Sequence, residues 1–227
     1  MFDVDTEINV ESCACGGSMT ETNRVRWVYA SKDNAELAAR YDEWAEDYDT
    51  DLDRDFAWSG HVLAAEVLMK YTDPDVSIID VGCGTGLCGG ELQRRGYTRI
   101  DGFDLSEGML ALASKLGVYA QLKQAVLGEP LEYDTDAYGA AIATGVFTVG
   151  HAPASGWDEV VRIIRPGGYF VLTIRPDIFE SNGYLQKEQD LVNSGQCELV
   201  EASDEIKMLP KGEPEAYHQI RVYRVLK

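Results

Sequence analysis

Residues 78–86 read Ile78-Ile79-Asp80-Val81-Gly82-Cys83-Gly84-Thr85-Gly86. A short apolar run passes straight into three alternating glycines, and a helical pattern follows from Leu87. Gly82 permits a sharp bend and Gly84 leaves room for a ligand at the backbone. Gly86 permits close packing of the next helix on the strand. The stretch therefore points to a nucleotide-like cofactor at the carboxyl end of a parallel strand. A purely structural strand-to-helix turn is the alternative.

A second signal lies further along the chain. Asp104 ends the next strand pattern, 104 − 84 = 20 positions beyond the middle glycine. An acidic group there can accept hydrogen bonds from both hydroxyls of a ribose. Alone, Asp104 is equally readable as an exposed turn residue that caps the following helix. A dinucleotide site would use such an acid too. Its Gly-x-Gly-x-x-Gly fingerprint, counted from Gly82, puts the last glycine at position 87, and that residue is Leu87. An NAD-dependent oxidoreductase is thus the less favoured reading. A phosphate loop fails as well, since Thr85-Gly86-Leu87 lacks the lysine it requires.

The surrounding pattern predicts an α/β fold. Apolar residues Leu37, Ala38, Tyr41, Trp44, Ala45 and Tyr48 recur at helical spacing, and a second helix is expected over 56–70. Strands are predicted at 76–81, 98–103, 119–124, 138–143 and 169–174, with helices over 87–95, from Ser106 as N-cap, and through Trp157 to Ile164. A helix near 184–192 and two late strands, 196–202 and 217–225, complete the order. The expected architecture is a doubly wound, seven-stranded, mostly parallel sheet with an antiparallel edge and N-terminal helices. Residues 1–22 read as a disordered tail, 23–72 as a helical lid and 73–227 as the cofactor-binding domain.

Composition narrows the function. The 227 residues hold 20 Lys and Arg against 39 Asp and Glu, a formal charge of −19. That field repels nucleic-acid phosphates and anionic membrane surfaces, so neither is the expected partner. The five cysteines form no disulfide framework, and the first residues do not look like a signal peptide. A reduced, cytoplasmic protein is expected. His61, His151 and His218 are scattered without metal-ligand spacing, and Cys13-Ala14-Cys15 is too short for a site. No metal is expected.

The run Asp80–Gly86 resembles the first motif of class I S-adenosylmethionine-dependent methyltransferases. Asp104-Leu105-Ser106-Glu107-Gly108-Met109-Leu110 is similar to their second, and the likeness covers about residues 35–175. The nearer resemblance is to the methyltransferase-like family of the Williams–Beuren syndrome chromosomal region. It rests on Tyr41-Asp42-Glu43-Trp44-Ala45-Glu46-Asp47-Tyr48-Asp49 and on Thr144-Gly145-Val146-Phe147-Thr148-Val149-Gly150-His151. The resemblance implies S-adenosylmethionine as cofactor and S-adenosylhomocysteine as product. It implies that Asp80, Gly82, Cys83 and Gly84 line the methionine and ribose portions, and that Asp104 holds the ribose hydroxyls. Leu105 then packs on the adenine and Met109 closes the same pocket. Tyr41 and Tyr48 lie over the cofactor, one hydroxyl within reach of its carboxylate; packing within an aromatic face is the other reading of both. The chain departs from its relatives at Val126, where many carry an aspartate that meets the adenine amino group. Backbone groups around Leu127 and apolar packing would take over that task. Thr144 and Gly145 form the remaining wall.

The acceptor is less legible. His151 follows the fourth strand and is the candidate base, with loop capping as the alternative. Arg175 either binds an anionic acceptor or pairs with a carboxylate. Phe147, Trp157, Phe179 and Tyr184 are candidate pocket walls. A small-molecule acceptor is expected, with a protein side chain as the second option. Methyl transfer is the expected activity; a catalytically weak protein that binds the cofactor and a partner is the alternative.

Overall fold

The computed structural model describes residues 23–227, so the expectations for the tail and for Cys13 and Cys15 fall outside the described residues. Helices α1 (Arg24–Tyr29) and α2 (Asn34–Asp51) lead into a π-helical turn, Leu52–Phe56, and then α3 (Gly60–Leu68). The alternating part follows as β1 (Ile78–Val81), α4 (Leu87–Arg94), β2 (Ile100–Asp104), α5 (Glu107–Lys115), β3 (Gln121–Gln124) and β4 (Tyr138–Phe147). Then come α6 (Gly156–Ile163), β5 (Ile164–Ile174), α7 (Pro176–Phe179), α8 (Tyr184–Asn193), β6 (Cys197–Ala202) and β7 (Gln219–Val225).

The strands form one seven-stranded sheet in the order β3-β2-β1-β4-β5-β7-β6. β1 to β5 pair in parallel, and β7 runs antiparallel to both β5 and β6. This is the expected doubly wound sheet with an antiparallel edge. Every residue of β1 is buried, as befits a central parallel strand covered on both faces. Ile79 and Val81 face the core completed by Trp157 and Val160 of α6. Ile78 faces the opposite core, against Ala64 and Leu68 of α3 and Leu92 of α4. Strand order reverses at β1, which has β2 on one side and β4 on the other. A crevice beyond the carboxyl ends of these strands follows from that switch.

Several boundaries differ from expectation: β5 starts at Ile164, five residues before its predicted start, and two other differences bear on the site. The helix read over 56–70 begins only at Gly60, because Ala57 adopts a left-handed conformation (φ 53°) and closes the π-helical turn. Trp58 N–H donates to the carbonyl of Leu52 at 3.1 Å, sealing that turn. β4 runs on to Phe147, four residues past its predicted end, and so carries Thr144 and Gly145 within the strand itself.

The N-terminal helices have a core of their own. Val25, Val28, Leu37, Trp44, Leu52, Phe56 and Leu209 bury one another. Helix α2 is then tied to the sheet domain by two aspartates seven residues apart. The Asp42 carboxylate accepts from the Ser106 hydroxyl at 2.6 Å and from Gly108 N–H at 2.8 Å. Ser106 in turn accepts from Met109 N–H at 3.0 Å, the N-cap its sequence position predicts. Asp49 accepts from the Thr85 hydroxyl at 2.5 Å, beside the start of α4. Both carboxylates thus sit at helix N-termini, where negative charge is favoured. Replacing Asp42 by alanine should destabilise the protein by about 1–2 kcal/mol. Chemical denaturation checks this, and a change within about 0.3 kcal/mol would show that the contact contributes little.

Candidate functional site

A crevice of about 680 Å3, counting the solvent at its mouth, opens at the carboxyl ends of β1, β2 and β4. Its floor is the glycine turn. Gly82 has φ +63°, and a Cβ there would stand 2.6 Å from Val146 Cγ2. Gly84 has φ +54°, and a Cβ there would meet nothing within 4 Å. One glycine is required by its neighbours and the other leaves open space on the crevice side, as the spacing implies. Gly86 packs its helix against Leu116.

Asp104 braces this floor. One carboxylate oxygen accepts from Gly84 N–H at 2.9 Å and the other from Ser106 N–H at 2.9 Å. The side chain is buried yet lines the crevice. Burial raises its pKa, opposed by hydrogen bonds from Ser106, Gly84 and Leu105. Each oxygen retains a lone pair for a further donor.

Of the residues named from the sequence, Tyr41, Tyr48, Gly82, Gly84, Asp104, Leu105, Met109, Leu127, Thr144, Gly145 and His151 all line the crevice. Val126 does too, together with Ala125. The wall formed by Leu105, Met109, Ala125, Val126 and Leu127 is therefore apolar, with Val126 at the place where an acid was looked for. Asp80 and Cys83 stand behind the floor. The Cys83 thiol turns toward Gly102, whose added Cβ would sit 3.1 Å from it. Asp80, 1% exposed, accepts from the Tyr119 hydroxyl at 2.7 Å, while its other oxygen has no hydrogen-bond partner. Burial pushes its pKa up to about 7, with the charge of Asp104 adding to the effect.

His151 is held by both ring nitrogens. Nδ1 lies 2.8 Å from the Val149 carbonyl, which can only accept, so Nδ1 carries the proton. Nε2 then accepts from the Tyr41 hydroxyl at 2.6 Å. Burial lowers the imidazole pKa to about 4, so the ring is neutral at physiological pH. The Tyr41 hydroxyl is pushed upward by burial.

A second chamber, about 540 Å3 counting the solvent at its mouth, adjoins the crevice. Tyr41, Tyr48, Thr144 and Gly145 line both. Phe147 belongs to this second chamber, as its reading as a pocket wall requires. Trp157 and Tyr184 do not; they are core residues packed between α6, α8 and the sheet. Phe179 lies under Arg221, with the guanidinium 4.4 Å from its ring. Arg175 pairs with Asp177 through two contacts of 3.0 and 2.6 Å. Its alternative reading, pairing with a carboxylate, holds.

Asp42 and Asp49 escaped the sequence reading. Their signal is the repeated Tyr-Asp pair, Tyr41-Asp42 and Tyr48-Asp49, at a spacing of two helical turns. Each tyrosine faces the crevice and each aspartate the adjoining helix start.

The buried Asp80 has a measurable consequence. Between the ordinary carboxyl pKa and about 7, the folded chain holds a proton that the unfolded chain has released. This group's effect therefore lowers stability as pH rises through that window. Asp80→Asn, which keeps the acceptor for Tyr119, should flatten the decline in melting temperature between about pH 5 and pH 8 relative to wild type. Equal slopes for the two proteins would place the Asp80 carboxyl in an ordinary environment.

Comparison with known proteins agrees with this geometry. A family model described as a methyltransferase domain matches residues 79–172. Human methyltransferase-like protein 27 is 36% identical over 165 residues, which make up 70% of this chain and 66% of that protein. Among solved structures, the [4+2]-cyclase SpnF superposes with a TM-score of 0.66 at 16% identity, over 86% of this chain and 98% of that one. A SAM-dependent methyltransferase from Methanosarcina mazei gives 0.57 at 17% identity, over 70% and 97%. The structural likenesses establish the fold, and the cyclase shows that the fold alone does not fix the reaction. The matched domain, together with the methyltransferase-like relative, identifies a methyltransferase domain in this chain.

Proposed function

We propose that the protein binds S-adenosylmethionine in the crevice and transfers its methyl group to a small molecule held in the adjoining chamber. The observation that carries this reading is the junction itself. Two chambers meet at Tyr41, Tyr48, Thr144 and Gly145, the arrangement a group transfer between two ligands needs. The residues fit the cofactor. Gly84 has an open face where a Cβ would meet nothing, Asp104 offers two oxygens with lone pairs to spare, and the wall beside Leu105 is apolar. The finer likeness to the Williams–Beuren-region family rests on the Tyr41–Asp49 and Thr144–His151 segments.

Bound S-adenosylmethionine supplies an electrophilic methyl: the acceptor's lone pair forms the new bond to carbon as the carbon–sulfur bond breaks and its electron pair stays on sulfur. The chain's own residues then have three tasks. Asp104 holds the ribose hydroxyls and keeps the glycine turn in place. Helices α1 to α3 act as a lid, with Tyr41 and Tyr48 excluding water from the junction. His151 and Tyr41 remove the acceptor's proton: it passes to the Tyr41 oxygen as the Tyr41 proton moves to His151 Nε2. Burial keeps His151 neutral, so its lone pair is available at physiological pH.

Two results test the proposal. Asp104→Ala should weaken S-adenosylmethionine and S-adenosylhomocysteine binding at least tenfold by calorimetry, equivalent to about 1.4 kcal/mol. Unchanged affinity in a folded variant would remove Asp104 from the site. His151→Ala should leave cofactor affinity within about threefold of wild type and slow transfer by about 100-fold, the lower end for acid–base catalysis. Transfer is followed as labelled methyl from the cofactor appearing in an ultrafiltered cell extract. Label that appears equally with His151→Ala would exclude the relay. Cofactor binding with no transfer by wild type would favour a binding protein over an enzyme.

A further inference from the structure

The second chamber has an unusual combination of lining and vacancy. Aromatic and aliphatic side chains dominate it, including Tyr29, Trp44, Trp58 and Phe147, and among the described residues no Lys, Arg, Asp or Glu lines it. This contrasts with a chain whose net charge is −19. A charged ligand would leave water there without meeting an opposite charge on the lining, which is costly. An uncharged, largely apolar ligand loses nothing comparable and gains burial against the rings.

The polar groups of the chamber are few. The Thr173 hydroxyl accepts from Gly145 N–H at 2.9 Å. The Thr148 hydroxyl donates to Tyr29 at 3.2 Å. His218 is different. It is 4% exposed, it lines the chamber, and its Nδ1 has no hydrogen-bond partner. Its place is fixed, because its backbone N–H and carbonyl pair with Ile206 at 2.8 Å each. The ring lies edge-on to Trp58, 6.1 Å between centroids. Burial, reinforced by the charge of Arg175 and opposed by Asp177, lowers its pKa to about 4. The imidazole is therefore neutral at physiological pH and has one lone-pair nitrogen. Buried polar atoms are nearly always paired, and an exception needs an explanation. The other unpaired buried atoms, on His61, Asp80, Tyr133 and Trp157, line neither this chamber nor the crevice.

We propose that the second chamber is the acceptor site and that it takes an uncharged aromatic or alicyclic small molecule whose hydroxyl or N–H group is hydrogen-bonded by His218. This rests on the methyl-transfer reading above and specifies its substrate class. The aromatic lining supplies affinity, and the ring N–H of neutral His218 donates to the polar atom of the ligand, leaving that group's own proton for the Tyr41–His151 relay. Anionic acceptors such as carboxylates and phosphates are disfavoured, because no described cationic side chain lines the chamber and the nearby Arg175 is already paired with Asp177.

The test is binding to the full chain, read without turnover. Phenol and 2-naphthol serve as neutral probes and 2-naphthoate as the anionic one, with quenching of tryptophan fluorescence as the signal in the presence of saturating S-adenosylhomocysteine. At least one neutral probe should bind saturably. The 2-naphthoate should bind at least tenfold more weakly than 2-naphthol. In His218→Phe, which keeps a ring of similar shape but no nitrogen, 2-naphthol affinity should fall about five- to tenfold, the loss of one hydrogen bond. Trp58→Ala gives a second variant, in which both neutral probes should weaken. S-adenosylhomocysteine binding, measured by calorimetry in each protein, separates the two readings. If it fails in wild type, the cofactor assignment falls. If it is retained, the acceptor proposal is overturned by any of three results: neither neutral probe binds, 2-naphthoate binds as well as 2-naphthol, or His218→Phe leaves 2-naphthol affinity unchanged.

Discussion

The Asp104 carboxylate is the constraint on which the site depends. Its two oxygens accept from Gly84 N–H and Ser106 N–H, and so join the loop after β1 to the loop after β2. The glycine turn could fold in several ways if left alone, because residues such as Gly84 have wide conformational freedom. The bond from its N–H to Asp104 selects one. The same carboxylate fixes the start of α5 through Ser106, and Ser106 passes the constraint to Met109 and to Asp42 of α2. The floor, one wall and the covering helix of the crevice thus share a single chain of hydrogen bonds. Such a network in a buried setting is costly to leave half-made, which favours one arrangement of the whole.

Helix α2 continues the same logic on the other side. Its period places Tyr41 and Tyr48 on one line and Asp42 and Asp49 on the next. The aspartates anchor it to Ser106 and Thr85, beside the starts of α5 and α4. The tyrosines then come to rest between the two chambers. Their rings pack with Trp44, Tyr48 edge-on to it at 4.7 Å between centroids and Tyr41 stacked at 6.3 Å. Anchoring and covering are done by neighbouring residues of one helix, so movement of the cover requires the two carboxylate contacts to break.

The parts of this arrangement differ in how far the sequence reveals them. The glycine turn, Asp104 and the Ser106 cap are legible because each depends on local chemistry: a backbone conformation, a strand end, a helix start. The sheet order follows from alternating strands and helices. The short helix Arg24–Tyr29 is hidden, since its opening Arg-Val-Arg-Trp alternates polar and apolar residues as a strand would and six residues are too few to show a helical period. Its helical form is decided by Asn23, whose side chain accepts from Arg26 N–H, and by burial of Val25 and Val28 against α2. The start of the helix read over 56–70 is displaced by a left-handed alanine, which composition does not announce. His218 was legible only as a histidine. Its importance comes from a chamber assembled by α1, α2, β4, β5 and the segment before β7, all distant from one another in the chain.

Electrostatics sets the two chambers apart. At the crevice floor, burial raises the carboxyl pKa of both Asp80 and Asp104, and the charge of Asp104 adds to the effect on Asp80. Two buried carboxyls that resist sharing negative charge form a setting in which a cationic ligand is favoured, because it relieves the repulsion between them. The acidic surface extends that preference outward and raises the local concentration of cations. Across Tyr41 and Thr144 the lining carries no charge, and both histidines at its margins are held neutral by burial. On the proposed assignment this sorts a sulfonium cofactor and an uncharged acceptor to opposite sides of one boundary. The sorting needs no moving part: the positions of Asp80 and Asp104 under the glycine turn, and their absence from the aromatic chamber, are sufficient.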